Sequence, residues 1–428
     1  MKLRLLIALC IAQLGWAQQR TCGVDAYMAK IMENPMMKQQ YMEQQEKFEN
    51  ELRRLVTNQL EARSGQATTA SPNVTIRIPV AVHYPSVATS SSASLKDCLR
   101  SLAQTQVNIL NADYNGTNAD ISNWASDSQY YPGTNTGMMD VQFIIATQNH
   151  PAGTGLVNGD MAVTFGTDYL SNADTDTTWS GYMNLVVRNI SGGILGYSPL
   201  GGSPSAGMTV VIDNNAFGKN MTTTPATCSG YAPGAPYNLG RTLTHELGHF
   251  FNLYHTFQAC DGANCLTSGD RVCDTEPTST PYYNCDPAGT VASNCTGNSQ
   301  LTMNYMDYVQ DVCMYMFTAG QATRMQAWYN TISSQFNMNT LGNEEILKNQ
   351  FAIAPNPNKG SFAIQFANPV ANYAFQVYDS TGRVLVDEEN AANTELVKNI
   401  QLPAAQRGVY FVTLRTQEGI VTKKVIVE

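Results

Sequence analysis

Basic stretches are missing from this sequence. Its formal net charge is −9 over 428 residues, and without a Lys/Arg cluster it carries no electrostatic footprint for nucleic acid. After the N-terminal residues no apolar run is long enough to span a bilayer, so no transmembrane segment is expected. Internal repeats and coiled-coil heptads are also missing. No C-x-x-C pair occurs, which argues against a cysteine-built metal site. Histidine is scarce, with five in the chain, so any local concentration of it carries weight.

What is present begins with an export signal. Lys2 and Arg4 give a charged start, Leu5 to Trp16 is apolar, and Ala17 offers a small residue for cleavage, so residues 1–17 read as a signal peptide. Export permits disulfides. Six of the ten cysteines, Cys260, Cys265, Cys273, Cys285, Cys295 and Cys313, fall in one Gly/Asn/Thr-rich stretch and read as staples for a region with little core of its own. A second zinc site is the rival reading. Cys22, Cys98 and Cys228 stand apart.

The length implies two or more folding units, and composition divides the chain. Residues 24–63 are rich in Met, Gln, Glu, Lys and Arg, a helix-forming mixture that Asn34-Pro35 splits into two helices. Ser64 to Pro72 is a small, polar linker. From 63 to 340 strands mix with helices. Thr75 to Val82 alternates as a strand, and Leu95 to Asn111 has helical spacing. Asp140 to Ala146, Met183 to Val187 and Met208 to Ile212 read as further strands, giving an α/β or α+β domain. Residues 345–428 change again to short alternating strands, at Phe362–Phe366, Ala374–Tyr378, Val384–Val386, Val409–Leu414 and Val421–Val427, the pattern of a small Ig-like β-sandwich.

Three of the histidines lie between 245 and 255. His245 and His249, four apart on a helix, face the same way and can share one Zn²⁺. Glu246 follows the first of them, which places its carboxylate beside a water that the metal would activate, as a general base requires. His255 joins the same ion only if the helix stops and the chain turns back. That turn needs a left-handed residue, and Asn252 tolerates the conformation. The bland alternative is a core helix with satisfied histidines.

His245 to Phe257, together with Asn304-Tyr305-Met306-Asp307-Tyr308, resembles the pappalysin family of metzincin zinc peptidases over roughly residues 20–335. The resemblance implies a secreted endopeptidase acting on protein or peptide substrates. Zinc is held by His245, His249 and His255, Glu246 is the base, Met306 forms an apolar floor, and Tyr308 stabilises the oxyanion. Ser191 to Tyr197, with Gly193 and Leu195, resembles the edge strand that binds an extended substrate by backbone pairing. The resemblance also implies structural calcium after the third histidine, where Asp270, Asp274, Thr275 and Glu276 supply oxygen donors; the same residues are ordinary turn-formers. Arg20-Thr21-Cys22-Gly23 resembles a cysteine switch, which would make 18–62 a pro-segment with Cys22 on zinc. A disulfide from Cys22 to Cys98 or Cys228 is the alternative. Asp311 falls where the family selects a basic side chain, implying cleavage before Arg or Lys and self-processing at Ala62-Arg63. Its alternative is a solvated loop carboxylate.

Ala354-Pro355-Asn356-Pro357, Arg407-Gly408-Val409-Tyr410-Phe411 and the ending Lys423-Lys424-Val425-Ile426-Val427 resemble the sorting domain of type IX secretion. That implies an outer-membrane secretion machinery as partner and a secreted or surface location. Two other functions stay open: a surface adhesin with a secondary metal site, and zinc hydrolysis of a non-peptide amide.

Overall fold

A computed structural model describes residues 19–63, 76–166, 174–220, 228–262, 264–341, 351–366, 373–390, 396–402, 407–416 and 419–428. The signal peptide and the Ser64–Pro72 linker lie outside the described residues.

Two helices open the chain, α1 (Val24–Glu33) and α2 (Pro35–Arg63). The break falls where Asn34 meets Pro35. Asn34 Oδ1 accepts the backbone N–H of Met36 at 3.1 Å and of Met37 at 3.2 Å, capping the second helix. Then follow β1 (Ile76–Tyr84), α3 (Ala93–Tyr114), α4 (Trp124–Asp127), β2 (Thr136–Gly137), β3 (Val141–Ile145) and β4 (Val163–Phe165). β5 (Met183–Arg188), β6 (Gly196–Tyr197), β7 (Thr209–Asp213), α5 (Arg241–Phe250), β8 (Phe317–Thr318) and α6 (Ala319–Ile332) complete this part.

The main sheet runs β3-β1-β5-β7-β6, with β4 also paired to β1. Its strands are parallel except for β6, which runs antiparallel to β7 at the edge. Along β1 the apolar residues alternate in sequence, yet the strand is buried on both faces apart from Arg77. A parallel strand at the centre of a sheet covered on both sides behaves this way. α3 starts at Ser92, whose hydroxyl accepts from Leu95 N–H, and buries Leu99, Leu102, Val107 and Leu110.

Between α5 and β8 the described residues carry a single short 3-10 turn, Asp311–Cys313. Disulfides Cys260–Cys295, Cys265–Cys273 and Cys285–Cys313 hold this region, so the six clustered cysteines are staples. Cys98 pairs with Cys228, which leaves Cys22 as a free thiol.

The last seven strands form two facing antiparallel sheets. β9 (Phe351–Ala354), β10 (Ser361–Phe366) and β13 (Val397–Gln401) make one; β11 (Tyr373–Asp379), β12 (Val384–Asn390), β14 (Gly408–Thr416) and β15 (Gly419–Val427) make the other. Phe362, Ile364, Phe375, Val377, Val412, Leu414 and Val425 from both sheets form a core of their own. Gln417-Glu418 lies outside the described residues.

Candidate active site

α5 starts at Gly240, whose φ of 79° allows the left-handed entry. All ten of its residues are buried, so its histidines are held by packing on every side. Gly248 is a place where only glycine fits: a Cβ there would stand 2.4 Å from Met306 Sδ. Met306 thus packs hard against the helix that carries His245 and His249. The helix ends at Phe250, Asn252 takes a φ of 69°, and the chain turns back to bring His255 to the other two rings.

The protonation of these rings is fixed from behind. His245 Nδ1 is 2.7 Å from Tyr305 O, and His249 Nδ1 is 2.7 Å from Leu253 O. A carbonyl can only accept, so Nδ1 carries the proton and each Nε2 presents a lone pair. His245 Nε2 is buried with no hydrogen-bond partner. His249 Nε2 and His255 Nε2 face each other at 3.1 Å. Burial pushes the His249 imidazole down to about 4 and the other two well below their ordinary value. Three neutral, convergent imidazoles, one of them with an Nε2 that has no partner, are what a zinc ion needs, and the site fits one. Cys22 Sγ completes a group of four donor atoms lying within 4.8 Å of one another.

Glu246 lies beside this group, 1% exposed. Burial pushes its carboxyl up to about 8, against the lowering pull of its hydrogen bond to Cys22 and of the Arg20 charge. The Cys22 thiol donates to Glu246 Oε2 at 3.3 Å, and Cys22 N–H donates to Tyr308 Oη at 3.2 Å. The Tyr308 ring lies 5.0 Å from His255 and 5.7 Å from His245.

The N-terminal chain crosses this site as an extended strand. Leu195 N–H donates to Thr21 O at 3.0 Å, and Gly23 N–H donates to Gly196 O at 3.0 Å. The Cys22–Gly196 bridge is parallel. A Cβ on Gly196 would come within 2.9 Å of Glu246 Cγ, so close approach of edge strand and α5 requires glycine. Gly193 lies in the turn ahead of this edge, at φ 79°.

Asp311 is fully buried and is no solvated loop carboxylate. Its Oδ1 accepts from Arg20 Nη2 at 2.6 Å. Its Oδ2 accepts the backbone N–H of Leu239 at 2.8 Å and of Arg241 at 3.3 Å.

Residues 168–330 match the family model described as Pregnancy-associated plasma protein-A, peptidase M43. A promirolysin mutant from Tannerella forsythia has a similar structure, with a TM-score of 0.51 and 25% identity, covering 75% of this chain and 98% of that one. Over residues 168–330 the chain is thus similar to the pappalysin family.

Among curated proteins, the chain is 39% identical to extracellular metalloprotease 1 of Coccidioides posadasii over 151 residues, 34% of this chain and 49% of the relative. It is 29% identical to an extracellular metalloprotease of Pyricularia oryzae over 269 residues, 62% of this chain and 79% of the relative. The chain thus spans about half the length of the Coccidioides protein. Residues 352–428 match the secretion system C-terminal sorting domain, so the protein is exported by a type IX route. No helix among the described residues is long and apolar enough to cross a membrane.

The expected calcium ligands do not gather into one site among the described residues. Asp270 Oδ2 accepts from Thr275 Oγ1 at 2.7 Å, bringing those two together. Asp274 instead caps α6, accepting from Thr318 Oγ1 at 2.7 Å and Gly320 N–H at 2.8 Å. A helix start has unpaired N–H groups, and they have claimed that carboxylate. Glu276 accepts from Thr296 and from Asn298. Among the described residues, the histidine group with Cys22 is the one cluster of three or more His, Cys, Asp or Glu donors able to share an ion.

Three further participants escape sequence reasoning. Arg20 sits beside Cys22 in the motif, but its partner Asp311 is 291 positions away. Tyr237 stacks on Arg20 from a Gly/Pro-rich loop that carries no local signal. Gln45 of α2 exchanges two amide hydrogen bonds with Asn252, at 3.3 and 3.1 Å.

Proposed function

We propose that this chain is a zinc-dependent endopeptidase made as a latent precursor, cutting peptides on the N-terminal side of Arg or Lys. The observation that carries the reading is the convergence of three neutral imidazoles and one thiol beside a buried carboxylate. When bound at these imidazoles, the ion supplies Lewis-acid chemistry, acidifying water and polarising the scissile carbonyl. Glu246 takes the proton of the attacking water and delivers it to the leaving amine. The Tyr308 hydroxyl, now held by Cys22 N–H, becomes free to donate to the developing oxyanion. Met306 packs beneath α5 and keeps the histidine rings in place. Leu195 and Gly196 hold the peptide by backbone pairing, which fits a site that reads main chain more than side chains.

Residues 18–62 act as the pro-segment in this reading. Cys22 takes the position that catalysis needs for water, and its hydrogen bond ties down the base. Arg20 fills the charged pocket at Asp311 as a substrate side chain would. In a substrate the basic residue follows the scissile bond, whereas here Arg20 precedes Cys22, so the pro-segment lies in the opposite sense and occupies the site without being cut. Self-processing at Ala62-Arg63 would remove it; Arg63 is the last residue of α2.

The test is Glu246→Ala. Its kcat/KM on peptides should fall by about 10²–10⁴-fold or more, while elemental analysis shows zinc at near-normal occupancy. Substantial residual hydrolysis by the zinc-loaded variant would refute the assignment.

A further inference from the structure

The pocket that holds Arg20 reads more than charge. Asp311 spends Oδ2 on the backbone N–H groups of Leu239 and Arg241, which leaves Oδ1 alone for a ligand. It meets one guanidinium nitrogen, Nη2, at 2.6 Å. Arg20 Nε and Nη1 are buried without a hydrogen-bond partner. The bidentate fork by which carboxylates usually prefer arginine is therefore not made. A lysine ammonium would form the same single contact, so Asp311 by itself cannot separate the two bases.

What a lysine cannot reproduce is the flat face. The Arg20 guanidinium carbon stands 4.9 Å from the centroid of the Tyr237 ring. Arg20 is 2% exposed, Tyr237 5% and Asp311 0%, so the stack is shielded from water, where cation–π attraction is strongest. A guanidinium is weakly hydrated and loses little on entering such a slot; a compact ammonium loses more. The ring is also held in fixed relation to the carboxylate. Tyr237 N–H donates to Gly234 O at 3.0 Å, and Asp311 N–H donates to Pro236 O at 3.2 Å, so the two walls are tied through adjacent residues. The Tyr237 hydroxyl accepts the Arg20 backbone N–H at 2.6 Å. That contact belongs to the pro-segment's own chain direction; the side-chain stack is the part a substrate can share.

We infer that Tyr237 makes this an arginine pocket and demotes lysine. The inference rests on the reading that the Asp311 pocket receives the residue after the scissile bond. The experiment compares kcat/KM of the processed, zinc-loaded protein on matched peptides carrying Arg, Lys, citrulline or Leu at that position. The wild type should favour Arg over Lys by about tenfold and reject citrulline, which keeps the plane but loses the charge. Tyr237→Leu should bring the Arg/Lys ratio close to unity, while Tyr237→Phe, with ring but no hydroxyl, should keep it. An unchanged ratio in Tyr237→Leu overturns the inference, as does a wild type that treats Arg and Lys alike while rejecting Leu. The latter result needs no variant to fold and leaves the basic pocket standing. A wild type indifferent to charge, cutting Leu and Arg peptides equally, overturns the pocket reading and the inference with it.

Discussion

Cys22 offers its thiol to Glu246 at 3.3 Å and its backbone N–H to Tyr308 at 3.2 Å, so one residue touches the base, the phenol and the metal position together. In the proposed latent state its loss frees all three. The Cys22→Ala precursor should process itself severalfold faster than wild type in a time course followed by gel electrophoresis. An unchanged rate would mean that latency rests on the Arg20–Asp311 pair and the strand pairing alone. Asp270 supports a second prediction. Burial pushes its carboxyl from 3.8 up to about 7. As pH rises from about 4 to 7, an unfolded Asp270 gives up its proton while the folded one keeps it. Stability is therefore whole below pH 4 and falls by up to about 4 kcal/mol on reaching pH 7. Asp270→Asn keeps an acceptor for Val272 N–H and Thr275 but cannot ionise. Its melting temperature in calcium-free buffer should equal that of wild type near pH 4 and exceed it at pH 7.5; a difference that stays constant with pH would contradict this. At this scale the sequence was legible where spacing decides chemistry. The histidines and Glu246 follow from α-helical periodicity, and Asn252 from its tolerance of positive φ. Asp311 and Arg20 were readable as residues but not as a pair, because nothing local links positions 291 apart.

Helix α2 shows what composition reveals and what it hides. Its helix-forming residues and the Asn34-Pro35 break were enough to place both N-terminal helices. They do not reveal that Phe48, set among Gln, Glu and Lys, is fully buried in the main core. Its ring lies 5.5 Å from Trp328 of α6, and the Arg324 guanidinium covers it at 4.8 Å. Glu51 Oε1 accepts from Asn330 of α6 a turn further on, at 2.6 Å. Helix α2 is thus docked on α6 and closes part of the core. Phe48→Ala in the Glu246→Ala background, which should not process itself, should lower precursor stability to urea by ~3–5 kcal/mol. Once the pro-segment is removed, the Trp328 fluorescence should shift to the red as the ring meets water. A loss below 1 kcal/mol would show that α2 rests on the surface. The parallel strands were legible by their β-branched runs. Residues 251–316 were not, because their order comes from three disulfides and turn hydrogen bonds, whose pairing no periodicity encodes.

Across the whole molecule the composition change near residue 345 marks the passage from one hydrophobic core to another. The sandwich closes its own core from seven strands, and none of those residues belongs to the core beneath the main sheet. Every residue assigned to the proposed chemistry is held by elements that end with α6. The boundary is not set by α6, however. Thr340 O accepts the backbone N–H groups of Thr147 and Gln148 at 3.0 and 2.9 Å, and Asn337 N–H donates to Gly181 O at 2.9 Å. Leu341 is 2% exposed. Residues 337–341 therefore finish the domain built on the main sheet, and the sandwich begins after them. Two truncations should behave differently. Ending the chain just before Leu347 should leave kcat/KM on peptides unchanged and cost little stability, while in the native host the protein should accumulate in the periplasm for want of its sorting domain. Ending it before Asn337 should expose three unpaired backbone groups and an apolar seam, lowering the melting temperature by several degrees or more and reducing the yield of active protein. If the Leu347 truncation abolishes activity in refolded protein, the sandwich is part of the enzyme and the division fails; if both truncations are equally stable, the segment 337–341 plays no part in closing the domain.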